Sequence, residues 1–258
     1  MDEVLYRLRR VHKHDLIIRN SAEHDIGYTL NSIGYDLLAL HALVEKNIIA
    51  QLGPVLGQGK ESDVYSCMDD ENNIYALKIY RIGRTSFKNI RKFRNLMGER
   101  THISWLYVNR LAARKEYEAL EKIYKLNLNT PKPIGYNRHI VVMEYLRGKE
   151  LERFKNIDDP EYIFNKVIDQ MRIIYQKAHM IHGDLGEYNI IVDEEGNILI
   201  IDWVQWVPAT HPNAKRILRR DIENVCNYFQ KKYNLKTDVE KTISSFYESK
   251  RRFLFFKS

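Results

Sequence analysis

An Asp, an Asn and a second Asp frame a loop between two apolar runs in the second half of the chain. Asn189 lies five residues after Asp184, and Asp202 directly follows the next apolar run, Ile198–Ile201. This spacing is typical of phosphoryl transfer, in which one Asp orients the acceptor hydroxyl while an Asn and another Asp hold Mg²⁺. It predicts Asp184 as the catalytic base, and Asn189 and Asp202 as oxygen ligands of Mg²⁺ or Mn²⁺. The alternative is a β-turn, since Gly, Asp and Asn are common in turns.

Composition limits the class of protein. The 258 residues, 44% of them hydrophobic, predict a globular chain with one large domain or two unequal ones. No run approaches the roughly 20 apolar residues of a membrane span, and the amino terminus lacks the apolar core of a signal peptide. The two cysteines, Cys67 and Cys226, form neither a disulfide framework nor a zinc motif. We therefore expect a cytoplasmic protein without a membrane partner.

Residues 1–48 are predicted to form a partial winged-helix segment. Apolar residues from Val4 to Val11 have helical spacing, and Leu16–Ile18 and Tyr28–Leu30 predict two short strands. Ser32 is the predicted N-cap of a second helix. Helix, two strands and helix make up the trailing half of a winged helix. A small appendage packed on the main domain and a nucleic-acid reader are both consistent with this pattern.

Residues 49–258 are predicted to form a bilobal, protein-kinase-like α+β fold. A small antiparallel lobe covers about 49–144, and a helical lobe covers about 149–258. A long helix is expected from about His102 to Leu126. The strands of the first lobe are predicted at Gln51–Leu56, Asp63–Met68, Ile74–Tyr80, Ile134–Tyr136 and Ile140–Glu144, and those of the second at Ile190–Val192 and Ile198–Ile201.

A glycine-containing turn lies between the first two of these strands. Gly57 and Gly59 would let backbone N–H groups approach phosphate oxygens, with Lys60 beside them. The third glycine of the kinase pattern G-x-G-x-x-G is replaced by Ser62. A plain turn is the alternative interpretation. The sequence predicts that the turn breaks the strand at Gly57-Gln58-Gly59.

A lysine in the middle of an apolar strand needs an anionic partner if it is buried. Lys78 is such a lysine, and we predict that it contacts Glu116 and the α- and β-phosphates of ATP. Glu118 and Glu121 compete for the same role, and a solvent-facing lysine remains an alternative. His182, two residues before Asp184, is interpreted as a packed, hydrogen-bonded spacer rather than a ligand or base.

The segment from Met143 to Leu146 is the predicted hinge, whose Glu144 and Leu146 would meet adenine, although an ordinary strand end would look the same. The order of these features favours a kinase-like phosphotransferase: glycine turn, strand lysine, helix glutamate, hinge, Asp-x₄-Asn and Asp.

With these motifs in place, the chain resembles the RIO atypical serine kinases. The resemblance rests on Gly57–Ser62, His182–Asn189 and Ile201–Trp203, and Thr29–Asp36 and Thr85–Phe87 are similar to the second, winged-helix branch of that family. It implies an ATP-dependent serine/threonine kinase or ATPase that acts late in maturation of the small ribosomal subunit, in a cytoplasm of archaeal type. Its partners would be the rRNA and ribosomal proteins of the pre-small subunit.

The resemblance also assigns residue roles. Lys78, Asp184, Asn189 and Asp202 would be functional, and Glu61 and Ser62 would line the nucleotide. Asp202 would become transiently phosphorylated, as carboxylates do in some ATPases, and Ser86 would be a site of self-phosphorylation.

Two features separate the chain from ordinary protein kinases. Gly183 replaces the Arg before the catalytic Asp, and no Ala-Pro-Glu follows Asp202, so the peptide-docking platform is expected to be missing. Two other functions stay open: a small-molecule phosphotransferase acting on aminoglycoside- or choline-like alcohols, and a nucleotide-gated RNA-binding scaffold. The basic run from Arg81 to Arg100 would be an rRNA contact or a solvated insertion.

Overall fold

The computed structural model describes residues 2–21, 26–83 and 105–254. The chain divides into two compact units. The first contains Met1–Tyr117 and Ile134–Glu144, and the second contains Glu118–Pro133 and Tyr145–Ser258. Within the described ranges, no helix is long and apolar enough to cross a membrane.

The first unit begins with the predicted helix, strand, strand and helix. These are α1 (Asp2–Lys13), β1 (Ile17–Ser21), β2 (Ile26–Leu30) and α2 (Ser32–Glu45), and β1 and β2 pair in antiparallel register.

The predicted N-cap of α2 is wrong by one residue. Asn31, with extended backbone, accepts the Gly34 N–H on its side-chain oxygen at 2.9 Å, whereas Ser32 is already the first helical residue.

A five-stranded sheet forms the body of the first unit. Its strands are β3 (Gln51–Gln58), β4 (Ser62–Met68), β5 (Ile74–Tyr80), β6 (Pro133–Asn137) and β7 (Ile140–Glu144), in the order β3-β4-β5-β7-β6. The pairs β3–β4, β4–β5 and β5–β7 are antiparallel. The predicted break of the first strand at Gly57 is wrong, because two register shifts along β3 let Gly57 pair with Val64. The turn therefore begins after Gln58.

Helix α2 shares one hydrophobic core with this sheet. Its Ala39 and Leu43 are fully buried against apolar residues of the sheet and of the segment leading into it: Ile49, Cys67, Leu77, Ile79, Ile140 and Val142. The N-terminal segment is thus packed on the sheet and is not a separate unit. Helix α3 (Trp105–Lys125) follows, and the boundary between the units falls within it, after Tyr117.

The second unit is mainly helical. Its elements are β8 (Gly148–Glu150), α4 (Pro160–Ile173), β9 (Met180–Ile181), β10 (Ile190–Asp193), β11 (Ile198–Ile200), β12 (Val207–Pro208), α5 (Ala214–Tyr233) and α6 (Val239–Leu254). Strands β11, β10 and β8 form one antiparallel sheet, and β12 pairs with β9. The predicted α+β class, with an antiparallel sheet before a helical part, is confirmed.

Candidate active site

A buried ion pair joins β5 to α3 in the first unit. Lys78 Nζ lies 2.9 Å from Glu116 Oε1, and the two side chains are 10% and 1% exposed. The Tyr80 hydroxyl donates to Glu116 Oε2, and the Lys78 ammonium lies 5.1 Å from the centroid of the Tyr80 ring. Of the three candidate glutamates, Glu116 is the one in this contact, whereas Glu121 pairs with Lys125 on the helix surface. The carboxylate offsets part of the cost of burying the ammonium.

The turn between β3 and β4 contains the predicted phosphate contacts. The Gly59 N–H donates to Ser62 O at 2.8 Å and closes the turn. A Cβ placed on Gly57 would meet no atom within 4 Å. The space beside the Gly57 Cα is thus empty, whereas the Gly59 N–H is already used in a hydrogen bond inside the turn. Of the remaining predicted contacts, Lys60 is exposed, and Glu61 and Ser62 are half-buried.

His182 fixes the start of the loop that carries Asp184 in the second unit. Its Nε2 lies 2.9 Å from the Ile201 carbonyl oxygen, and its Nδ1 lies 3.3 Å from the Asp184 amide nitrogen. A carbonyl can only accept and an amide N–H can only donate, so these contacts place a ring proton on Nε2 and make Nδ1 the acceptor. The ring also contacts Trp203, with 4.7 Å between ring centroids. His182 is therefore a buried spacer that connects this loop to Ile201, the residue between β11 and Asp202.

Asp221 of α5 holds the same loop by its main chain. Its Oδ2 accepts the Gly183 N–H at 2.7 Å, and its Oδ1 accepts the Leu185 N–H at 3.4 Å. The residue is 1% exposed, and burial raises the pKa of its carboxyl above the ordinary value, against the opposing effects of His182, these N–H bonds and a nearby arginine. The backbone on both sides of Asp184 is thereby fixed.

Two further side chains of α5 complete this anchorage. Arg220 donates to the Gly183 carbonyl, and Asn224 Nδ2 donates to the Leu185 carbonyl at 2.9 Å. Gly183 has φ +83°, and a Cβ there would come within 2.4 Å of the Gln205 carbonyl oxygen. The glycine that replaces the kinase Arg is thus required by the backbone itself. With the main chain held, Asp184 is exposed.

Asn189 and Asp202 are brought together by a backbone bond. The Asn189 carbonyl accepts the Ile201 N–H at 3.0 Å, next to Asp202 in the chain. Asn189 Nδ2 donates to the Asp184 carbonyl at 2.9 Å, so the amide oxygen is the atom left for a hard cation. Asp202 has left-handed backbone, with φ 66°, a conformation that Asp tolerates better than most residues.

This donor set fits Mg²⁺. One carboxylate and one amide oxygen are typical of magnesium, which keeps several waters and takes the rest of its ligands from substrate phosphates. Within the described ranges, no group of three or more His, Cys, Asp or Glu residues could hold a metal ion. A closed site of the zinc type is therefore not found in that part of the chain.

The predicted hinge coincides with a unit boundary. Glu144, exposed, is the last residue of β7, and the second unit resumes at Tyr145, with Leu146 half-buried. Ser86 and the basic run beyond Gly83 lie outside the described residues. The roles of all these residues toward a nucleotide stay predictions.

Two family models match the chain. A RIO domain model matches residues 63–242, more than half of the chain, and a Rio2 N-terminal model matches residues 1–46. The chain belongs to the RIO family of serine/threonine-protein kinases. The second model places it in the Rio2 branch, which confirms the resemblance seen in the motifs.

Relatives from archaea and eukaryotes agree. The RIO-type serine/threonine-protein kinase Rio2 of Methanocaldococcus jannaschii is 40% identical over 244 residues, covering 93% of this chain and 88% of that protein. Rio2 kinases of Schizosaccharomyces pombe and Dictyostelium discoideum are 38% and 37% identical over 83% and 88% of this chain. The chain spans only 62% and 43% of the length of those two eukaryotic proteins.

The solved structures of Chaetomium thermophilum Rio2 kinase are similar over nearly the whole chain. Its ADP/Mg²⁺-phosphoaspartate complex matches with a TM-score of 0.80 and 28% identity, covering 94% of this chain and 75% of that one. A further structure of the same kinase matches with the same TM-score and 29% identity, covering 94% of this chain and 77% of that one.

Reasoning from sequence missed Asp221. The signal is an acidic residue on the apolar face of a helix: Asp221 falls among Leu218, Ile222 and Val225, at helical spacing, and all four are buried. Burying a carboxylate without hydrogen-bond partners costs too much free energy. An Asp on the apolar face of a helix therefore predicts buried N–H donors nearby. The sequence cannot say which donors these are, because they come from a loop 36 and 38 residues away along the chain.

Proposed function

We propose that this chain is an ATP- and Mg²⁺-dependent RIO-type serine/threonine kinase or ATPase that acts in maturation of the small ribosomal subunit. The observation that carries the proposal is the anchored loop of the second unit, in which an exposed Asp184 is followed by the linked pair Asn189 and Asp202. Kinase relatives at 37–40% identity support the phosphotransferase class.

The chain's own groups have separate tasks in this reaction. Asp184 accepts the proton of the attacking hydroxyl or water, since it is the exposed carboxylate of the anchored loop. Lys78, fixed by Glu116, contributes positive charge to the α- and β-phosphates. Asn189 and Asp202 hold the metal, which when bound neutralises phosphate charge and polarises the transferred phosphoryl group. Gly57 in β3, the Gly59–Ser62 turn, and the hinge at Glu144 and Leu146 contact the rest of the nucleotide.

A transient phosphate on Asp202 is the finer form of the proposal. A carboxylate oxygen of Asp202 would attack the γ-phosphorus, ADP would leave, and water would later cleave the acyl phosphate to release inorganic phosphate. The name of the Chaetomium thermophilum complex, which contains phosphoaspartate with ADP and Mg²⁺, supports this chemistry for a relative. Hydrolysis would then time release from a pre-ribosome, with the basic surplus of +7 favouring rRNA.

The chemical lability of protein-bound phosphate tests the acceptor. After incubation with MgATP labelled on the γ-phosphate, we expect label that is released by hydroxylamine and by alkali but survives brief acid only partly, as acyl phosphates do. Asp202→Asn should carry no such label. Acid-stable, hydroxylamine-resistant phosphate at Ser86 would show protein-kinase chemistry instead.

Small-alcohol substrates and ribosomal particles separate the remaining functions. We expect phosphate release from MgATP to be unchanged by aminoglycosides or choline, and we expect salt-sensitive co-sedimentation with small ribosomal subunits. Rapid transfer of phosphate to one of these alcohols would identify a small-molecule phosphotransferase. Normal release of subunits in cells by Asp184→Ala would identify an RNA-binding scaffold without catalysis.

A further inference from the structure

A cluster of charged side chains links α2 to the turn between β3 and β4 in the first unit. Arg81 Nη1 and Nη2 each lie 2.6 Å from one carboxylate oxygen of Asp36, and Arg81 Nε lies 3.3 Å from Asp63 Oδ2. The Arg81, Asp36 and Asp63 side chains are 16%, 17% and 2% exposed. A bidentate arginine–carboxylate contact fixes direction as well as distance, so it can hold α2 in a defined position relative to the end of β5.

The same arginine holds the turn by its backbone. The Arg81 N–H donates to the Glu61 carbonyl at 2.6 Å, inside the turn that the Gly59 N–H closes on Ser62. Arg81 therefore contacts the turn at the Glu61 carbonyl and the adjoining strand β4 at the Asp63 carboxylate, while Asp36 binds its guanidinium. Helix α2 is thus connected through a single residue, Arg81, to the turn that contains the predicted phosphate contacts.

Asp36 has a second connection, toward the Lys78–Glu116 pair. His139 Nε2 lies 2.7 Å from Asp36 Oδ1, and the His139 carbonyl accepts the Tyr80 N–H at 3.0 Å. The Tyr80 hydroxyl in turn donates to Glu116. His139 is 2% exposed, so this connection runs through the interior of the unit.

The charge state of Asp36 favours both connections. Burial alone would raise the pKa of its carboxyl, but hydrogen bonds and charge from His139 and Arg81 outweigh burial and hold the pKa below its ordinary value. Burial likewise opposes the charge on Arg81, and Asp36 and Asp63 outweigh it and raise the pKa of the guanidinium. Asp36 is ionised near neutral pH, and its contact with Arg81 is a full ion pair.

We propose that Asp36 and Arg81 are positioning residues for nucleotide binding, through which α2 of the N-terminal segment fixes the Gly59–Ser62 turn and supports the Lys78–Glu116 pair. This inference rests on the proposed function, because it takes that turn and Lys78 as the phosphate contacts. Neither residue needs to touch the nucleotide. The N-terminal segment is then part of the nucleotide-binding apparatus.

The test is the dissociation constant for MgADP, measured by calorimetry on the full chain. Asp36→Asn keeps size and polarity but removes the charge, and Arg81→Lys keeps charge but loses the bidentate contact. We expect each to raise the dissociation constant about tenfold, a loss of about 1.4 kcal/mol, because the turn and Lys78 are no longer held in one position. Glu45→Gln is the matched control: Glu45 lies on the same helix in an exposed pair with His41, and its loss should change the constant by less than about twofold.

Two further readouts separate positioning from mere stability. Hydrogen exchange of the Gly59 and Arg81 amides should speed up in Asp36→Asn below its unfolding temperature, but not in Glu45→Gln. The double variant Asp36→Asn/Arg81→Lys should lose less affinity than the sum of the two single losses in free energy, because the Arg81–Asp36 contact is counted in both single variants. Should Asp36→Asn fail to fold, Arg81→Lys and His139→Gln decide the question by the same measurements.

Unchanged MgADP binding by folded Asp36→Asn and Arg81→Lys, in a wild type that does bind MgADP, would overturn this inference and leave the proposed function standing. Additive losses in the double variant would also overturn it. A wild type that does not bind MgADP would overturn the proposed function, and this inference with it.

Discussion

The Lys78 ammonium is one charge in a buried group of three polar side chains. Glu116 accepts from Lys78 on one oxygen and from Tyr80 on the other. Such a pair contributes little net stability compared with apolar residues of the same size, but removing one partner leaves a buried charge without compensation. The pair therefore serves to position a phosphate-binding lysine. Removing only one of its two members should lower the stability of the protein.

Removal of one member of the pair and removal of both should have different effects on stability. Lys78→Met should lower the free energy of unfolding by about 3–5 kcal/mol, since Glu116 stays buried without its cationic partner. Lys78→Met/Glu116→Gln should recover most of that loss, because no buried charge remains and Gln can still accept from Tyr80. Denaturant titration measures both, and Lys125→Met, which breaks the exposed pair with Glu121, should change little. A double variant less stable than Lys78→Met would contradict the argument.

Gly183 and Gly186 lie in the same loop and differ in what surrounds them. Gly183 combines φ +83° with a 2.4 Å approach of the Gln205 carbonyl to any Cβ, whereas a Cβ on Gly186 would meet no atom within 4 Å. Gly183→Ala should therefore cost about 1–3 kcal/mol of stability through backbone strain, with a further loss from the clash, and should reduce ATP turnover. Gly186→Ala is the control and should be nearly neutral. Equal melting temperatures for the two variants would refute this reading of the loop.

At the scale of elements, α5 holds the loop that carries Asp184. Asp221, Arg220 and Asn224 bind the main chain on both sides of Asp184. The loop around Asp184 has little regular secondary structure, so its buried backbone N–H groups need acceptors from elsewhere in the protein. The helix provides the rigid support that an accurately placed catalytic carboxylate needs.

Asp221→Ala should separate catalysis from nucleotide binding. Loss of the acceptor leaves the Gly183 and Leu185 N–H groups unsatisfied, at about 1–3 kcal/mol each. We expect a lower melting temperature and a lower turnover number, with little change in the dissociation constant for MgADP, because no predicted nucleotide contact is altered. Glu223→Gln, at a half-exposed position of the same helix, should leave all three unchanged. A folded Asp221→Ala with normal turnover would show that this anchorage is not needed for catalysis.

Most elements could be predicted from the sequence because their signals are local. Apolar periodicity indicated the strands β4, β5 and β7 and the helix that begins the chain, and the structure has them. The N-cap of α2 was wrong by one residue, since Asn31 and Ser32 are both good caps and only the backbone angles distinguish them. The end of β3 was wrong because a glycine in a sheet with shifted register pairs like any other residue.

The contacts that organise the site were harder to predict, since they join residues far apart in the chain. Asp36 meets Arg81 and His139, which lie 45 and 103 residues away. Nothing in the local pattern of a mostly apolar helix indicates which charges its single Asp will meet. The choice of Glu116 over its neighbours depended on helical phase alone, and the structure shows that contact.

At the scale of the whole molecule, the predicted chemistry is divided between the two compact units. Lys78, Glu116 and the Gly59–Ser62 turn belong to the first, and Asp184, Asn189 and Asp202 belong to the second. The proposed reaction uses both sets of residues. We therefore expect that loss of either set abolishes turnover, while the other unit stays folded. The matched RIO domain model covers residues of both units.

The initial rate of phosphate release from MgATP tests the central claim most directly, compared among wild type, Asp184→Ala, Asp202→Ala and the exposed control Asp158→Asn at matched folded fraction. We predict that Asp184→Ala loses about 10²–10⁴-fold in turnover through loss of the general base, that Asp202→Ala falls to background, and that Asp158→Asn equals wild type. Full turnover by Asp184→Ala or Asp202→Ala would contradict the assignment of phosphoryl transfer to this loop.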